Sequence, residues 1–261
     1  MIEVIVTGAA GRMGREVIQA VTAADGMRVF AAVDPRAAGT LIDDGAGRQV
    51  TVSGDLAAAL DGPGPKVLVD FTVPGAVEAT VIQALTAGVN CVVGTTGVPV
   101  DRWTQLSQNA TNGACLFIAP NFAIGAVLMM RFAAQAARYM PHVEIIELHH
   151  DRKLDAPSGT AMRTADLIAA ARSEVPPAPG RETEVADGAR GALVDGVTVH
   201  SVRLPGLVAH QEVLFGGTGQ TLSIRHDSID RTSFMPGVVL AVRKVVDRSG
   251  LVIGLEELMD A

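Results

Sequence analysis

This sequence of 261 residues is poor in cysteine and has no long apolar run. Its two cysteines, Cys91 and Cys115, lie inside apolar strand-like segments and outside any CxxC or Cys/His spacing. This placement predicts buried thiols rather than a disulfide or a metal site. Gly, Pro or charged residues interrupt every apolar stretch before the roughly 20 residues that cross a bilayer. We therefore expect neither a bound metal nor a membrane partner.

The chain also lacks a signal-like start and a surplus of basic residues. Its first residues enter a strand-like run directly, without the basic start and unbroken apolar stretch of a signal peptide. With the unpaired cysteines, this favours a cytoplasmic protein. The formal net charge of -7 argues against nucleic-acid binding. An anionic ligand would need a local cationic pocket within this acidic chain.

What the sequence does contain is a regular alternation of strands and helices in its first half, and 48% apolar residues from which to build a core. The apolar strands are continuous, which predicts a parallel, doubly wound, Rossmann-like sheet covered on both faces. The predicted strands are Ile2–Thr7, Met27–Val33, Lys66–Phe71, Val89–Val93 and Ala114–Ala119. The predicted helices are Arg15–Ala24, Ala76–Ala87 and Arg102–Asn109.

The pattern changes after Phe122. The predicted order is helix Ile124–Tyr139, strand Val143–Leu148, helix Thr160–Ser173, loop Val175–Gly196, strands Val197–Arg203, Gln211–Phe215 and Gln220–His226, and helix Pro236–Val246. The last three strands have no helices between them, which predicts a second α+β domain with a mixed or antiparallel sheet. We expect residues 1–121 and 236–261 to form a dinucleotide-binding domain. Residues 122–235 are expected to form a substrate-binding and oligomerisation domain.

A glycine-rich turn joins the first strand to the first helix. Gly8, Gly11 and Gly14 allow a pyrophosphate to approach the backbone, and the helix N-terminus favours its charge. Asp34 ends the second strand, where a carboxylate can bind the adenine ribose. Asp34 favours NADH because it would repel a 2′-phosphate, whereas Arg36 and Arg12 can neutralise that phosphate and permit NADPH. The alternative is that Asp34 has no ligand and is a surface residue that begins a turn.

Two further segments end later strands of the same predicted sheet. They are Gly94-Thr95-Thr96 and Ala119-Pro120-Asn121-Phe122. Their hydroxyl, amide and backbone groups can hold a nicotinamide amide at the ligand-binding edge. Ordinary loop chemistry is an equally good interpretation of each segment taken alone.

The segment from Glu147 to Thr160 concentrates ionisable residues between a strand and a helix. His149 and His150 are suited to proton transfer near neutral pH. A metal role is not expected, because adjacent strand residues point to opposite faces and no further ligand is suitably spaced. Lys153 can donate a proton or pair with a carboxylate, although Arg152 and Lys153 can also be a solvated loop pair. Asp155 is expected to shape the loop.

The helix that follows begins at Ser158-Gly159-Thr160, with Ser158 where an N-cap belongs. Its free N–H groups form a second predicted anion site. Together with His149 and Lys153, this site suits reduction of a small cyclic dicarboxylate that carries a double bond conjugated to an imine. Two other functions remain as alternatives. A thioester-forming aldehyde dehydrogenase would need a reactive cysteine, and a redox sensor would leave the His-His-Lys segment unexplained.

These motifs resemble the bacterial dihydrodipicolinate reductases. The resemblance is carried by VTGAAGRMGRE, DFTVPGAV, VVGTTG, APNFAIGAVLMM, EIIELHHDRKLDAPSGTA and HSVRLPGLVAHQEVLFGGTGQTLSIRHDS. It implies reduction of dihydrodipicolinate, formed from 4-hydroxy-tetrahydrodipicolinate, to tetrahydrodipicolinate in diaminopimelate and lysine biosynthesis. NADH or NADPH would supply the hydride. It also implies a homotetramer built through the sheet of the second domain, and domain closure on binding.

The resemblance further assigns individual residues. His149 would be the proton donor or acceptor and Lys153 the second catalytic group, while His150, Gly159 and Thr160 would contact substrate carboxylate. The expected cofactor-site residues are Gly8, Gly11, Arg12, Met13, Asp34, Gly94, Thr95, Thr96, Ala119, Pro120, Asn121 and Phe122.

Overall fold

The structure is a computed structural model and describes residues 1–62, 66–176 and 183–259. The chain divides into two compact units. Unit 1 comprises Met1–Ala123 and Arg231–Ala261, and unit 2 comprises Ile124–Asp230. The boundaries expected from sequence lie within a few residues of these. Within the described ranges, no helix combines the length and the apolar character needed to cross a membrane.

The first part of unit 1 alternates strands with helices. Its elements are β1 (Ile2–Thr7), α1 (Arg12–Ala23), β2 (Met27–Val33), β3 (Leu41–Asp43), β4 (Gln49–Ser53), α2 (Leu56–Leu60), β5 (Lys66–Asp70), α3 (Pro74–Thr86), β6 (Asn90–Val93), α4 (Val100–Ser107) and β7 (Cys115–Ile118). The central strands are buried on both faces by apolar side chains, which include Ile5, Leu68, Val93 and Leu116. The predicted parallel strands are confirmed.

Unit 2 follows without a break in the chain. Its elements are α5 (Ile124–Ala137), β8 (His142–His149), α6 (Gly159–Ala171), β9 (Ala192–Val194), β10 (Val197–Arg203), β11 (Ala209–Gly217) and β12 (Gln220–Ser228). They form a five-stranded mixed sheet in the order β12-β11-β8-β10-β9, in which only the β8–β10 pair is parallel. The predicted mixed sheet is confirmed.

One face of this second sheet is covered by helices and the other is more open. Helices α5 and α6 contact each other and the strands. Ile145, Val199 and Val213 are buried and stand side by side in the strand register. Their neighbours Ile146 and Leu214 point to the opposite face and are half-buried.

The chain then returns to unit 1 through α7 (Met235–Val245), β13 (Gly250–Ile253) and α8 (Glu256–Met259). Strand β13 pairs parallel with β7, which completes an eight-stranded sheet in the order β13-β7-β6-β5-β1-β2-β4-β3. Only β3 runs antiparallel to its neighbour. The order reverses direction at β1, and such a switch point is where doubly wound sheets bind ligands.

The structure differs from the sequence predictions in its short elements. It adds β3, β4 and α2, for which no element was predicted. It places β9 inside the predicted loop Val175–Gly196, of which residues 177–182 lie outside the described ranges. It also adds β13 at Gly250–Ile253, for which no element was predicted. Each of these strands has five residues or fewer, so its periodicity is too short to be distinctive.

Candidate functional site

The glycine turn of unit 1 is built for close approach to its backbone. Gly8 follows β1 in the left-handed region, with φ of +67°. A Cβ on Gly14 would lie 2.3 Å from the carbonyl oxygen of Gly8, so only glycine allows this packing. Gly11 precedes α1 and gives it no side-chain cap. The first N–H groups of α1, at Arg12 and Met13, therefore remain available to an anion.

Asp34 lies just beyond β2 and is 6% exposed. Its Oδ1 accepts a hydrogen bond from the backbone N–H of Arg36 at 3.2 Å, which caps a short 3-10 turn. The Arg36 guanidinium Nε is 4.0 Å from the same oxygen. An acidic and a basic group therefore lie side by side at the predicted ribose position. Asp34 can bind the ribose hydroxyls of NADH, and Arg36 can bind the 2′-phosphate of NADPH.

A groove of about 440 Å³ opens beside the turn and the end of β2. Its walls are Thr7, Gly8, Val33, Pro35, Gly54, Asp55, Leu56, Ala57, Thr72, Ala76, Ala79, Thr80 and Gln83. Most of these residues were not predicted. They belong to α2 and α3 or to the segments just before them, and no local motif marks which face of such a helix borders a ligand.

The ends of β1, β5 and β6 are tied together by one buried carboxylate, Asp70, which is 0% exposed. It accepts hydrogen bonds from the hydroxyls of Thr7 and Thr95, both at 2.7 Å, and from the backbone N–H of Thr72 at 3.0 Å. Sequence analysis missed Asp70. The hydroxyl of Thr95, predicted to face the cofactor, is engaged in this contact.

The other residues of these two segments divide into buried and accessible ones. A Cβ on Gly94 would lie 2.1 Å from the ring of Phe71, so this position also requires glycine. Ala119 and Phe122 are buried, and Phe122 packs 5.5 Å from Phe71 between ring centroids. Thr96 and Pro120 are exposed and Asn121 is half-buried, so these three are accessible to a ligand.

In unit 2, Glu147 on β8 is the centre of the candidate catalytic segment. Its side chain is 0% exposed. Oε2 accepts from His149 Nδ1 at 2.5 Å and from Arg203 Nη1 at 2.8 Å. Oε1 accepts from Arg203 Nη2 at 2.8 Å and from the Ser158 backbone N–H at 3.1 Å. These contacts bring β8, β10 and the start of α6 together. Glu147 and Arg203 were not predicted as site residues.

Electrostatics explain how this carboxylate tolerates burial. Burial alone would raise the pKa of Glu147, but hydrogen bonds from His149, Arg203 and Ser201 outweigh it and lower the pKa to about 2. Glu147 is therefore ionised at neutral pH.

The three basic side chains predicted for the site follow Glu147 along the chain, and His149 contacts it directly. His149 is the last residue of β8. Nδ1 of His150 is buried and has no hydrogen-bond partner among the described residues. Lys153 is 21% exposed, and its Nζ binds both Asp155 oxygens at 2.8 and 2.9 Å. Lys153 is thus an ordered ion-pair partner rather than a solvated loop residue.

The start of α6 agrees with the predicted N-terminus. Ser158 Oγ accepts from the Ala161 N–H at 3.2 Å, which confirms the predicted N-cap. No heavy atom lies within 4 Å of the position that a Cβ on Gly159 would occupy, so a ligand can reach the backbone there. Thr160 follows in the first turn of this 13-residue helix. The N-terminal dipole adds a partial positive charge at this point.

The cysteines do not suit a thioester mechanism. Cys91 and Cys115 are both free and buried. Burial raises the pKa of the Cys91 thiol far above its ordinary value and that of Cys115 to about 11. A nucleophilic cysteine needs the opposite shift and access to substrate, so this alternative loses its chemical basis.

Comparison with known proteins covers both units. The family described as "Dihydrodipicolinate reductase, N-terminus" matches residues 2–122, and "Dihydrodipicolinate reductase, C-terminus" matches residues 125–259. A 4-hydroxy-tetrahydrodipicolinate reductase from Mycolicibacterium vanbaalenii is 53% identical, and one from Syntrophomonas wolfei is 50% identical. Each alignment covers 98% of this chain and 98% of the relative.

Solved structures agree with these relatives. A dipicolinate-bound dihydrodipicolinate reductase from Paenisporosarcina sp. TG-14 is 44% identical, with a TM-score of 0.87 over 99% of this chain and all of that one. An amine dehydrogenase from Mycobacterium smegmatis, at 15% identity and a TM-score of 0.64, shares the fold alone. The predicted family, enzyme class and nicotinamide cofactor are confirmed: the chain belongs to the dihydrodipicolinate reductase family of oxidoreductases.

Proposed function

We propose that this chain reduces dihydrodipicolinate, formed from 4-hydroxy-tetrahydrodipicolinate, to tetrahydrodipicolinate in diaminopimelate and lysine biosynthesis. The single observation that carries the proposal is the junction between β8 and α6. There an imidazole, an ion-paired ammonium group and the Ser158-capped N-terminus of α6 occur within a dozen residues. A cyclic substrate with two carboxylates and a ring nitrogen requires these three kinds of group.

Unit 1 holds the cofactor in this proposal, and its residues fit a dinucleotide. Gly8, Gly11 and Gly14 allow the turn to pack tightly against its own backbone, and the N–H groups of Arg12 and Met13, at a helix start with no side-chain cap, bind the pyrophosphate. The groove beside Asp34 accommodates the adenosine. Thr96, Pro120 and Asn121 line the nicotinamide end, and the half-buried Gly94 and the buried Thr95, Ala119 and Phe122 shape it. When bound, NADH or NADPH supplies the hydride.

Unit 2 binds the substrate and delivers the proton. The backbone N–H groups of Gly159 and Thr160 bind one carboxylate, assisted by the α6 dipole and by His150. Lys153 exchanges its contact with Asp155 for the substrate. Reduction leaves negative charge on the ring nitrogen, and His149 protonates it, with Lys153 as the second catalytic group. Ser158 contributes to substrate binding as the N-cap of α6, because the cap fixes the position of the helix start.

The cofactor preference follows from the pair at the ribose position. Asp34 binds the ribose hydroxyls of NADH, whereas Arg36 moves toward the 2′-phosphate of NADPH. We expect use of both, because the Arg36 side chain is exposed and free to reorient.

We also propose a cytoplasmic homotetramer that forms through the open face of the unit 2 sheet. Ile146, Leu148 and Leu214 are half-buried on this face, and a partner sheet would remove them from water. Light scattering of the purified chain should give the mass of four copies, and a monomeric mass at assay concentration would refute this part.

The activity test uses purified protein and enzymatically generated substrate, with NADH and NADPH compared. We expect substrate-dependent oxidation of the cofactor, with turnover reduced by about 10²-fold or more in His149→Gln and Lys153→Ala. Both variants should retain cofactor binding. His142→Gln removes an exposed imidazole from the other end of β8 and is the matched control. Cofactor binding without turnover would favour the redox-sensor alternative, and near-normal turnover in both variants would refute the proposed roles.

A further inference from the structure

Besides the hydrogen bond from the Ser201 side chain, Glu147 accepts four hydrogen bonds that occupy both of its oxygens. Oε1 accepts from Arg203 Nη2 and from the Ser158 backbone N–H. Oε2 accepts from Arg203 Nη1 and from His149 Nδ1. Each oxygen therefore faces at least two donors, one from Arg203 on β10 and one from the segment that contains the candidate site. A buried carboxylate held by this many donors fixes the positions of the groups that bind it.

The charge on Glu147 determines where the hydrogen on His149 lies. An ionised carboxylate accepts hydrogen bonds and has none to donate. The 2.5 Å contact therefore requires a hydrogen on Nδ1 of His149. When the imidazole is neutral, Nε2 is then the basic nitrogen. When it is protonated, Nε2 carries the proton that can leave, which makes Nε2 the atom that exchanges protons with a ligand.

Arg203 allows the carboxylate to remain both buried and charged. Its two terminal nitrogens pair with both Glu147 oxygens. Nη2 also donates to the backbone oxygen of Asp155 at 2.6 Å, and this loop leads into α6. Arg203 is the direct register partner of His149 between β8 and β10. One guanidinium thus joins the carboxylate, the histidine strand and the loop that carries Lys153.

We propose that Glu147, held by Arg203, is a positioning residue that sets the tautomer and orientation of His149 and anchors the start of α6 beside it. The inference rests on the proposed function of His149. Glu147 acts through two partners: His149, which it orients for proton transfer, and Ser158, whose N–H it holds at the helix that would bind substrate carboxylate.

Glu147→Gln is the sharpest substitution, because it keeps the shape and removes one acceptor. Whichever oxygen becomes NH₂, that group faces two donors, so either the His149 contact or the Ser158 contact is lost along with one from Arg203. We expect kcat to fall by about 10²-fold, since small misplacement of a catalytic group has effects of this size. Glu147→Asp keeps the charge and should restore part of the loss. Glu78→Gln, which removes a carboxylate from the Glu78–Arg102 pair in unit 1, is the matched control.

A double-mutant cycle separates positioning from general structural damage. If Glu147 acts through His149, then Glu147→Gln should lower kcat by less than about threefold in a His149→Gln background. Glu147→Gln should still raise the KM for substrate in the His149→Gln background, because that effect comes from the contact between Glu147 and the start of α6. Independent, multiplicative losses of kcat in the double variant would overturn the proposal. Glu147→Asp serves in the same cycle if Glu147→Gln does not fold.

A readout independent of turnover is the ¹⁵N NMR spectrum of the His149 imidazole in the full-length protein with NADH bound. We expect a protonated Nδ1 near neutral pH in the unmodified chain and a mixture of tautomers in Glu147→Gln. A protonated Nε2 with bare Nδ1 in the unmodified chain would overturn the inference even if neither variant folds. An inactive protein with the expected imidazole signature would instead refute the proposed function and leave only the tautomer and orientation set by Glu147 standing.

Discussion

Two clusters of glutamate, histidine and arginine lie on opposite faces of the unit 2 sheet. The inner cluster is Glu147, His149 and Arg203, on the face that packs against the helices. The outer cluster is Glu144, His200 and Arg190, on the open face. In the outer cluster His200 Nε2 binds Glu144 at 2.7 Å, and Arg190 pairs with the same carboxylate. Both glutamates belong to β8 and both histidines lie on β8 or β10.

Burial separates these two sets of identical residue types. The Glu144 side chain is 36% exposed, whereas Glu147 is fully buried. Partial burial would raise the pKa of Glu144. Hydrogen bonds from His200 and Arg190 outweigh it, so the pKa of Glu144 lies below its ordinary value. The inner cluster is also bound to a helix start, through the Ser158 N–H. The residue types alone therefore do not distinguish the candidate site from the outer cluster. The face of the sheet on which the residues lie distinguishes the two.

The largest expected difference between the clusters is in turnover. His149→Gln should reduce kcat by about 10²- to 10⁴-fold, because it removes the proposed proton donor. His200→Gln should change kcat by less than about twofold. Steady-state kinetics with saturating NADH checks both. Equal losses in the two variants would mean that the inner cluster has no special role in the reaction.

Next in size is the effect of removing each arginine on stability. Arg203→Met leaves Glu147 buried without its counter-ion, and such losses cost about 3–5 kcal/mol of unfolding free energy. Arg190→Met removes a partner from a partly exposed carboxylate and should cost about 1 kcal/mol or less. Urea unfolding of both variants measures the difference. A cost below 1 kcal/mol for Arg203→Met would show that water reaches Glu147.

Acid should then distinguish the two carboxylates. The pKa of Glu147 is about 2 in the folded chain and near 4.5 ordinarily. A lowered pKa stabilises the fold above the unfolded value, and this contribution disappears as pH falls from about 4.5 through about 2. The stability gap between the unmodified chain and Glu147→Gln should therefore shrink over that window, by on the order of 3 kcal/mol. A gap that stays constant from pH 7 to pH 2.5 would contradict the ionised state; Glu144→Gln should show a smaller change of the same sign.

Salt should produce the smallest difference. On the single chain the outer cluster is accessible to ions, so in a monomeric preparation the stability cost of Glu144→Gln, about 1 kcal/mol or less, should decline between 0.05 and 1 M NaCl. The cost of Glu147→Gln should hardly change, because screening is weak for buried pairs. Urea midpoints at both salt concentrations provide the test. A strong salt dependence at Glu147 would place the inner cluster in contact with solvent.

The sequence predicted the parts of the fold that have long or repeated signals. The parallel strands of unit 1, the mixed sheet of unit 2 and the Ser158 cap all follow from local patterns. The short strands β3, β4, β9 and β13 do not, because three to five residues carry no usable period.

The inner cluster could be predicted only in part, for a different reason. His149 and Lys153 stand in one dense motif that sequence analysis can identify. Arg203 is distant along the chain and reaches Glu147 only through the parallel pairing of β8 with β10. Asp70 was missed similarly, since its partners Thr7 and Thr95 come from two other strand ends. Long-range pairing of this kind leaves no signature in any one segment.

The position of β13 has a consequence for synthesis of the protein. Strand β7 is buried throughout, and its outer edge is hydrogen-bonded by residues 250–253, which leave the ribosome only after all of unit 2. Until then all of unit 2 must emerge while β7 presents an unpaired apolar edge, the kind of surface on which nascent chains aggregate. A truncated product that ends at Ala123 would keep that edge bare permanently, so we expect such fragments to accumulate as insoluble material.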